Sequence, residues 1–232
     1  MWLIHRFAEE FEDHAILKGG LVLRLLDSPR LTNDIDFVLV PYSKKREIAP
    51  KVRAIIEELA DADVDINLHS SMLRATIRID GVGVQVECAV APECPSIPMT
   101  TAAMAEVNGY PPKVIRVMDP AVALAHKLAA WNERRLIRDL YDAYFFVARV
   151  GVEPDLATLE DRLRSIRSRR PELKRTRTMT IAVFKDVLSQ ALTKLTDRDV
   201  DEELGGLLPA AARVGLSVQI RVALTGALQS LA

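Results

Sequence analysis

Residues Thr32 to Pro41, TNDIDFVLVP, constrain this chain more than any other stretch. Ile35 to Val40 is a β-rich apolar run closed by Pro41 and reads as a strand. On a strand, residues two apart point to the same face, so Asp34 and Asp36 project together while Ile35 and Phe37 turn the other way, into a core. The fold must therefore place an apolar layer behind this strand and, in front of it, a cation that tolerates two adjacent carboxylates. Mg²⁺ suits that position because it takes hard oxygen ligands and bridges carboxylates to phosphates, with Mn²⁺ as the alternative.

Upstream stand Lys18-Gly19-Gly20, then Leu21, Val22, Leu23, Leu25 and Leu26, a short buried helix ended by Ser28-Pro29. Glycines without a Cβ can adopt strained angles and let phosphate oxygens approach the main-chain N–H groups, and a helix N-terminus after them adds a favourable dipole. Alone, the glycines are a tight turn and the aspartates a solvated strand start. Together, Gly-Gly followed at this distance by Asp-hydrophobic-Asp-hydrophobic resembles the signature of the DNA polymerase beta-like nucleotidyltransferase superfamily. Within it, Leu17-Lys18-Gly19-Gly20 with Arg30, Thr32 and Asp34-Ile35-Asp36-Phe37 resembles the AbiEii/AbiGii abortive-infection toxin family. The resemblance implies that Asp34 and Asp36 hold the metal and that Lys18, Gly19, Gly20, Arg30 and Thr32 bind substrate. One departure is Gly20, at a position where related transferases often carry serine. The family has a second signature, a lysine followed by an Arg-Asp-x-x-Asp helix.

Of 232 residues, 49% are hydrophobic, ample for a core that folds alone. The 31 Lys and Arg nearly balance the 32 Asp and Glu, which excludes a strongly basic nucleic-acid binder while leaving room for local patches. Cys88 and Cys94 are too few and too close for a disulfide framework and make no zinc spacing, which points to a reducing, cytoplasmic setting. Glu9, Glu10, Glu12 and Asp13 come too soon after the first residues for a signal peptide, and charge interrupts every apolar run before membrane-spanning length.

In chain order, Trp2 to Asp13 reads as an amphipathic helix and Ala15 to Leu17 as a short strand. Ser43 to Ala60 has Ile48, Val52, Ile55, Ile56 and Leu59 at helical spacing, with Pro50 expected to confine the regular helix to the residues after it. From Val64 to Val90 the period is two, and Asp80-Gly81 is a hairpin signal. On the last of these strands Gln85 and Glu87 share one face. If that face also holds Asp34 and Asp36, Glu87 is a candidate third carboxylate, for metal or for deprotonating an attacking hydroxyl. Ala91 to Pro112 reads as an irregular, Pro-rich loop, Val114 to Met118 as a strand, and Asp119-Pro120 as a helix start. β-branched runs then give way to Ala, Leu, Arg and Glu, so the expected domains are 1–118 and 119–232.

The second domain opens on Lys127 and then Arg134, Arg135 and Arg138-Asp139-Leu140-Tyr141-Asp142, which resembles the family's second signature. On one continuous helix Lys127, Trp131, Arg134, Arg138 and Asp142 share a stripe; a break near Arg135 makes two helices. Lys127 could hold a triphosphate oxygen, Arg134 or Arg138 could pair with phosphate bidentately, and Asp139 or Asp142 could orient those cations or act as a base. Helices are expected over 155–169, 178–195 and 207–231. Arg162, Arg164, Arg167, Arg169, Arg170, Lys174, Arg175 and Arg177 form a dense basic stretch suited to a phosphate backbone. Asp197 to Glu203 reads as an acidic loop.

The expected architecture is an α/β (α+β) nucleotidyltransferase lobe with a mixed sheet, followed by an all-helical lobe. The expected reaction is metal-dependent transfer of a nucleoside monophosphate from an NTP to an acceptor hydroxyl, releasing pyrophosphate. Family analogy implies an RNA acceptor, specifically a tRNA 3′ end, in the toxin half of a bacterial toxin–antitoxin pair with a cognate antitoxin. Two rivals stand beside it. A small-molecule transferase of the aminoglycoside type would need an acidic pocket, against the basic stretch, and an inactive nucleic-acid-binding module of the same fold would not need Asp34 and Asp36.

Overall fold

The computed structural model describes residues 1–59, 62–69, 72–79, 81–168, 170–171 and 176–231. They form two compact units, Met1–Asp119 and Pro120–Ala232. In the first unit seven strands build one mixed sheet: β1 (Ala15–Lys18), β2 (Asp34–Leu39), β3 (Asp63–Leu68), β4 (Leu73–Ile79), β5 (Val82–Val90), β6 (Ser96–Thr100) and β7 (Val114–Met118). Their order is β3-β4-β5-β2-β1-β7-β6. The β2–β5 and β1–β7 ladders are parallel and the others antiparallel.

Register sorts this sheet into an apolar and a polar face. Phe37 lies opposite Leu17 on β1 and Cys88 on β5, and Ile35 lies opposite Val86. With Leu39, Ala75, Ile77, Ile115 and Val117 they form the buried side. Helices packed on this core include α1 (Trp2–Phe11) through Ile4, Phe7 and Phe11, and α3 (Lys45–Glu57) through Ile48, Val52, Ile55 and Ile56. These residues recur every three or four positions, the period of a helix face. Phe7 stacks on Phe37 with centroids 4.5 Å apart and planes 7° from parallel, an offset of core aromatics that adds to area burial. Burial pushes the Cys88 thiol pKa well up and keeps it neutral within this layer.

Two expectations for this unit change. Pro50 sits inside α3, which continues through it; near a helix start a proline removes one backbone bond, and the burial of Ile48 and Val52 on either side offsets that loss. The stretch 91–112 is not irregular throughout, because it contains β6 and α4 (Ala102–Val107). β6 is an edge strand paired only with β7, where Pro98 is tolerated on the unpaired side. The β4–β5 hairpin pairs Ile79 with Val82, with Gly81 at φ 79°; Asp80 lies outside the described residues.

The second unit is helical: α5 (Pro120–Arg134), α6 (Ile137–Phe145), a π-helical turn at Phe146–Val150, α7 (Leu156–Arg164), α8 (Ile181–Lys194), α9 (Asp197–Leu204), α10 (Ala210–Arg213) and α11 (Leu216–Ser230). Its core takes Leu124, Leu128 and Trp131 from α5, Leu140 and Tyr144 from α6, Phe184 and Leu188 from α8, and Ile220 and Leu224 from α11. Arg135 breaks α5 from α6 in the left-handed region, φ 58°, with its guanidinium 4.3 Å over the Trp131 ring. Asp197 to Glu203 belongs to helix α9 rather than to a loop. Thr196 and Asp199 close a capping box, and Val200 and Leu204 at i, i+4 are buried, so two local signals outweigh the acidic composition. No helix among the described residues is long and apolar enough to cross a membrane.

Candidate active site

Asp34 and Asp36 occupy the polar face of β2, as alternation requires. The residues around them are brought in by the turn between β1 and α2 (Gly20–Leu25) and by the loop leading into β2. Lys18 ends β1 opposite Asp36, and its Nζ stands 3.6 Å from Asp36 Oδ1. Gly19 comes next at φ 77°, ψ −153°, a region essentially reserved for glycine. A Cβ there would fall under 3.0 Å from Asp36 Oδ2 and 3.1 Å from its Cγ, so the Gly19 backbone lies directly against the carboxylate.

Gly20 is tight for a different reason. A Cβ on it would meet Nη2 of Arg30 at under 3.0 Å and Thr32 Oγ1 at 3.1 Å. The space beside Gly20 is taken by the guanidinium of Arg30, a residue 6% exposed, which donates through Nη1 to the Leu31 carbonyl oxygen. Thr32 Oγ1 accepts from the Asp34 N–H at 3.3 Å, which ties the loop to the start of the strand. Lys18, Gly19, Gly20, Arg30, Thr32, Asp34 and Asp36 therefore form one cluster in the first unit.

Glu87 lies directly opposite Asp36 in the parallel β2–β5 ladder, and Gln85 opposite Asp34. Its Oε1 accepts from Arg74 Nε at 2.9 Å and lies 2.7 Å from Nη2. Sequence reasoning missed Arg74, though a signal existed: a two-residue turn that pairs Ile79 with Val82 counts back to Arg74 opposite Glu87. Among the described residues no group of three or more His, Cys, Asp or Glu side chains is disposed to hold a metal. The pair Asp34 and Asp36 nevertheless suits a hard divalent ion, because both are oxygen donors on one face, and the missing Cβ of Gly19 leaves Asp36 Oδ2 the room it occupies against the turn.

The residues of the second signature lie in the second unit and form two ion pairs. Lys127 Nζ is 2.6 Å from Asp142 Oδ2. Arg134 grips Asp139 bidentately, Nη2 to Oδ1 at 2.6 Å and Nε to Oδ2 at 3.1 Å. Both carboxylates are 1% exposed. Burial pushes the Asp139 carboxyl above the ordinary aspartate range, while Lys127 and Arg134 pull it back. Arg138 pairs with neither acid; its backbone N–H donates to Glu203 Oε1. Within the basic stretch, Arg162 is taken up by Glu133 and His126, and Arg164 by Glu160. Arg167 and Arg177 are exposed, and Arg170 donates to the Arg134 carbonyl oxygen. Arg169, Lys174 and Arg175 lie outside the described residues.

A family model described as "Nucleotidyl transferase AbiEii toxin, Type IV TA system" matches residues 3–214. The chain belongs to this family. It is thus a nucleotidyltransferase of a type IV toxin–antitoxin family, a membership that implies an NTP substrate and a cognate antitoxin. No curated protein matches the AbiEii-family chain in sequence. Among solved structures it resembles JHP933 from Helicobacter pylori, at 15% identity and a TM-score of 0.53, with 98% of this chain and 86% of that one covered. It also resembles an H. pylori protein provisionally described as a nucleotidyltransferase, at 15% identity and a TM-score of 0.52, covering 100% of this chain and 93% of that one. At such identity the likeness speaks for the fold, a mixed sheet followed by helices.

Proposed function

We propose that this AbiEii-family chain transfers a nucleoside monophosphate from an NTP to a hydroxyl of an RNA acceptor, a tRNA 3′ end, releasing pyrophosphate. The observation that carries the reading is the close packing of two glycines: Gly19 against the Asp36 carboxylate and Gly20 against the Arg30 guanidinium. That packing sets backbone N–H groups and a buried cation beside a pair of carboxylates, which is what a metal-bound triphosphate needs. Asp34 and Asp36 would hold Mg²⁺, which when bound neutralises phosphate charge and polarises the phosphoryl group.

The remaining work belongs to the chain's own residues. Phosphoryl transfer depends on positioning and charge compensation more than on a strong base. Gly19 and Gly20 offer main-chain donors to the triphosphate, Arg30 and Lys18 offset its charge, and Thr32 holds the loop. From the second signature, Lys127 and Arg134 serve as cations for phosphate oxygens. Their acids are 1% exposed and paired, which supports a positioning role, Asp142 for Lys127 and Asp139 for Arg134, over contact with an acceptor hydroxyl. The exposed arginines, Arg167 and Arg177 with Arg170, suit an RNA backbone. The test is incubation with each α-labelled NTP, Mg²⁺ and total bacterial RNA, beside the Asp34→Ala, Asp36→Ala double variant. Label in a discrete RNA band, absent with the variant, is expected; label that appears only on small molecules or protein would move the acceptor, and RNA retention without label would replace the transferase with a binding module.

A further inference from the structure

The polar face of the first unit's sheet carries a row of side chains across five strands: Asn67 on β3, Arg74 on β4, Glu87 on β5, Asp36 on β2 and Lys18 on β1. Ladder register sets each opposite the next. Adjacent strands lie about 4.8 Å apart, so Asp36 and Glu87 are like charges on neighbouring backbones. Each is held by a cation from its outer side, Lys18 at 3.6 Å from Asp36 and Arg74 at 2.7 Å from Glu87. The two carboxylate side chains are only 18% and 19% exposed, so water screens the row incompletely.

The row is charge-balanced before any ligand enters, and that balance governs loading. Resting on the reading of Asp34 and Asp36 as the metal site, we infer that Arg74 is a positioning residue that withholds Glu87 from the divalent ion until the nucleotide arrives. An ion entering alone meets Lys18 and Arg74 already paired to the carboxylates it needs, and its two added charges repel both. A triphosphate brings enough negative charge to take both cations, so ion and nucleotide load together. Glu87 then turns from Arg74 towards the ion, and Arg74 moves to a phosphate oxygen. Arg74 sits on β4, a strand that carries none of the family motif.

The test is Mn²⁺ binding to the full chain, read as loss of the free-ion electron paramagnetic resonance signal, with and without non-hydrolysable triphosphate analogues of all four nucleosides. Wild type is expected to bind Mn²⁺ weakly alone and more tightly with an analogue. Arg74→Gln is expected to tighten Mn²⁺ binding in the absence of nucleotide by about ten- to a hundredfold, the worth of a charge-assisted hydrogen bond no longer in competition. Arg74→Gln combined with Glu87→Gln loses that gain, and Arg74→Lys, which keeps the charge, stays near wild type. Glu87→Gln alone leaves nucleotide-free binding as weak as wild type. Unchanged or weaker Mn²⁺ affinity in Arg74→Gln, or tenfold weaker nucleotide-free binding in Glu87→Gln, overturns the role of Arg74. The Asp34→Asn, Asp36→Asn variant separates the two levels: if it binds Mn²⁺ as wild type does, the metal site itself is misplaced and this inference goes with it.

Discussion

Alanine at Gly19 and alanine at Gly20 test the site's geometry against each other. At Gly19 the backbone sits at φ 77°, ψ −153°, where a side-chain-bearing residue costs about 1–3 kcal/mol. The new methyl also lands under 3.0 Å from Asp36 Oδ2, so the carboxylate must rotate or the turn must shift. At Gly20 the backbone is helical, alanine is favoured over glycine there by up to about 1 kcal/mol, and the clash is with the far end of the Arg30 side chain. Gly19→Ala should therefore lose about 1–3 kcal/mol of stability and also Mn²⁺ binding. Gly20→Ala should stay within about 1 kcal/mol of wild type while the KM for NTP rises. Urea unfolding monitored by circular dichroism reads the first difference as a midpoint shift on the order of 1 M, given m-values of about 1–3 kcal/mol/M. A Gly19→Ala protein that unfolds at the wild-type midpoint and binds Mn²⁺ normally would refute the reasoning, as would a larger loss at Gly20 than at Gly19.

Lys127→Met removes the cation 2.6 Å from the Asp142 carboxylate, which is 1% exposed, and should cost about 3–5 kcal/mol, most of it recovered when Asp142→Asn is added; equal stability of the single and double variants would argue against the pair. Asp139 has a folded-state pKa raised above its ordinary value, so the native state binds more protons and its contribution is full below the ordinary aspartate range and lost as pH rises through the raised value. The stability of wild type minus that of Asp139→Asn, from urea midpoints between about pH 4 and about pH 8, should fall with rising pH; a rise would reverse the assignment. Replacing Arg167, Arg170 and Arg177 together with alanine should weaken RNA retention and flatten the plot of log K against log salt by about two units, since each phosphate contact contributes a slope of about 0.7 to 0.9. A parallel plot would place the RNA elsewhere.

Much of the site was legible because its determinants are local. Alternation along β2 puts Asp34 and Asp36 on one face and Ile35 and Phe37 in the core whatever the partners are. Arg135 at φ 58° ends α5, one of the two arrangements that the charged stripe left open. Thr196 and Asp199 carried a capping-box signal that the acidic run obscured, so α9 was written in the sequence although composition alone read it as a loop. β6 was harder: Ser96–Thr100 has weak strand character and becomes a strand because β7 offers an edge.

What the sequence determined by itself is the chemistry available and the face on which each strand or helix residue stands, since the periods of two and 3.6 are properties of the local backbone. Only the tertiary structure decided which groups meet. Arg30 fills the space beside Gly20, Asp142 takes Lys127 while Asp139 takes Arg134, and Glu87 faces both Asp36 and Arg74. Such pairings depend on ladder register and on side chains reaching across elements. Several partners of suitable charge lie within reach of each residue along the chain, and packing of the core behind them selects one.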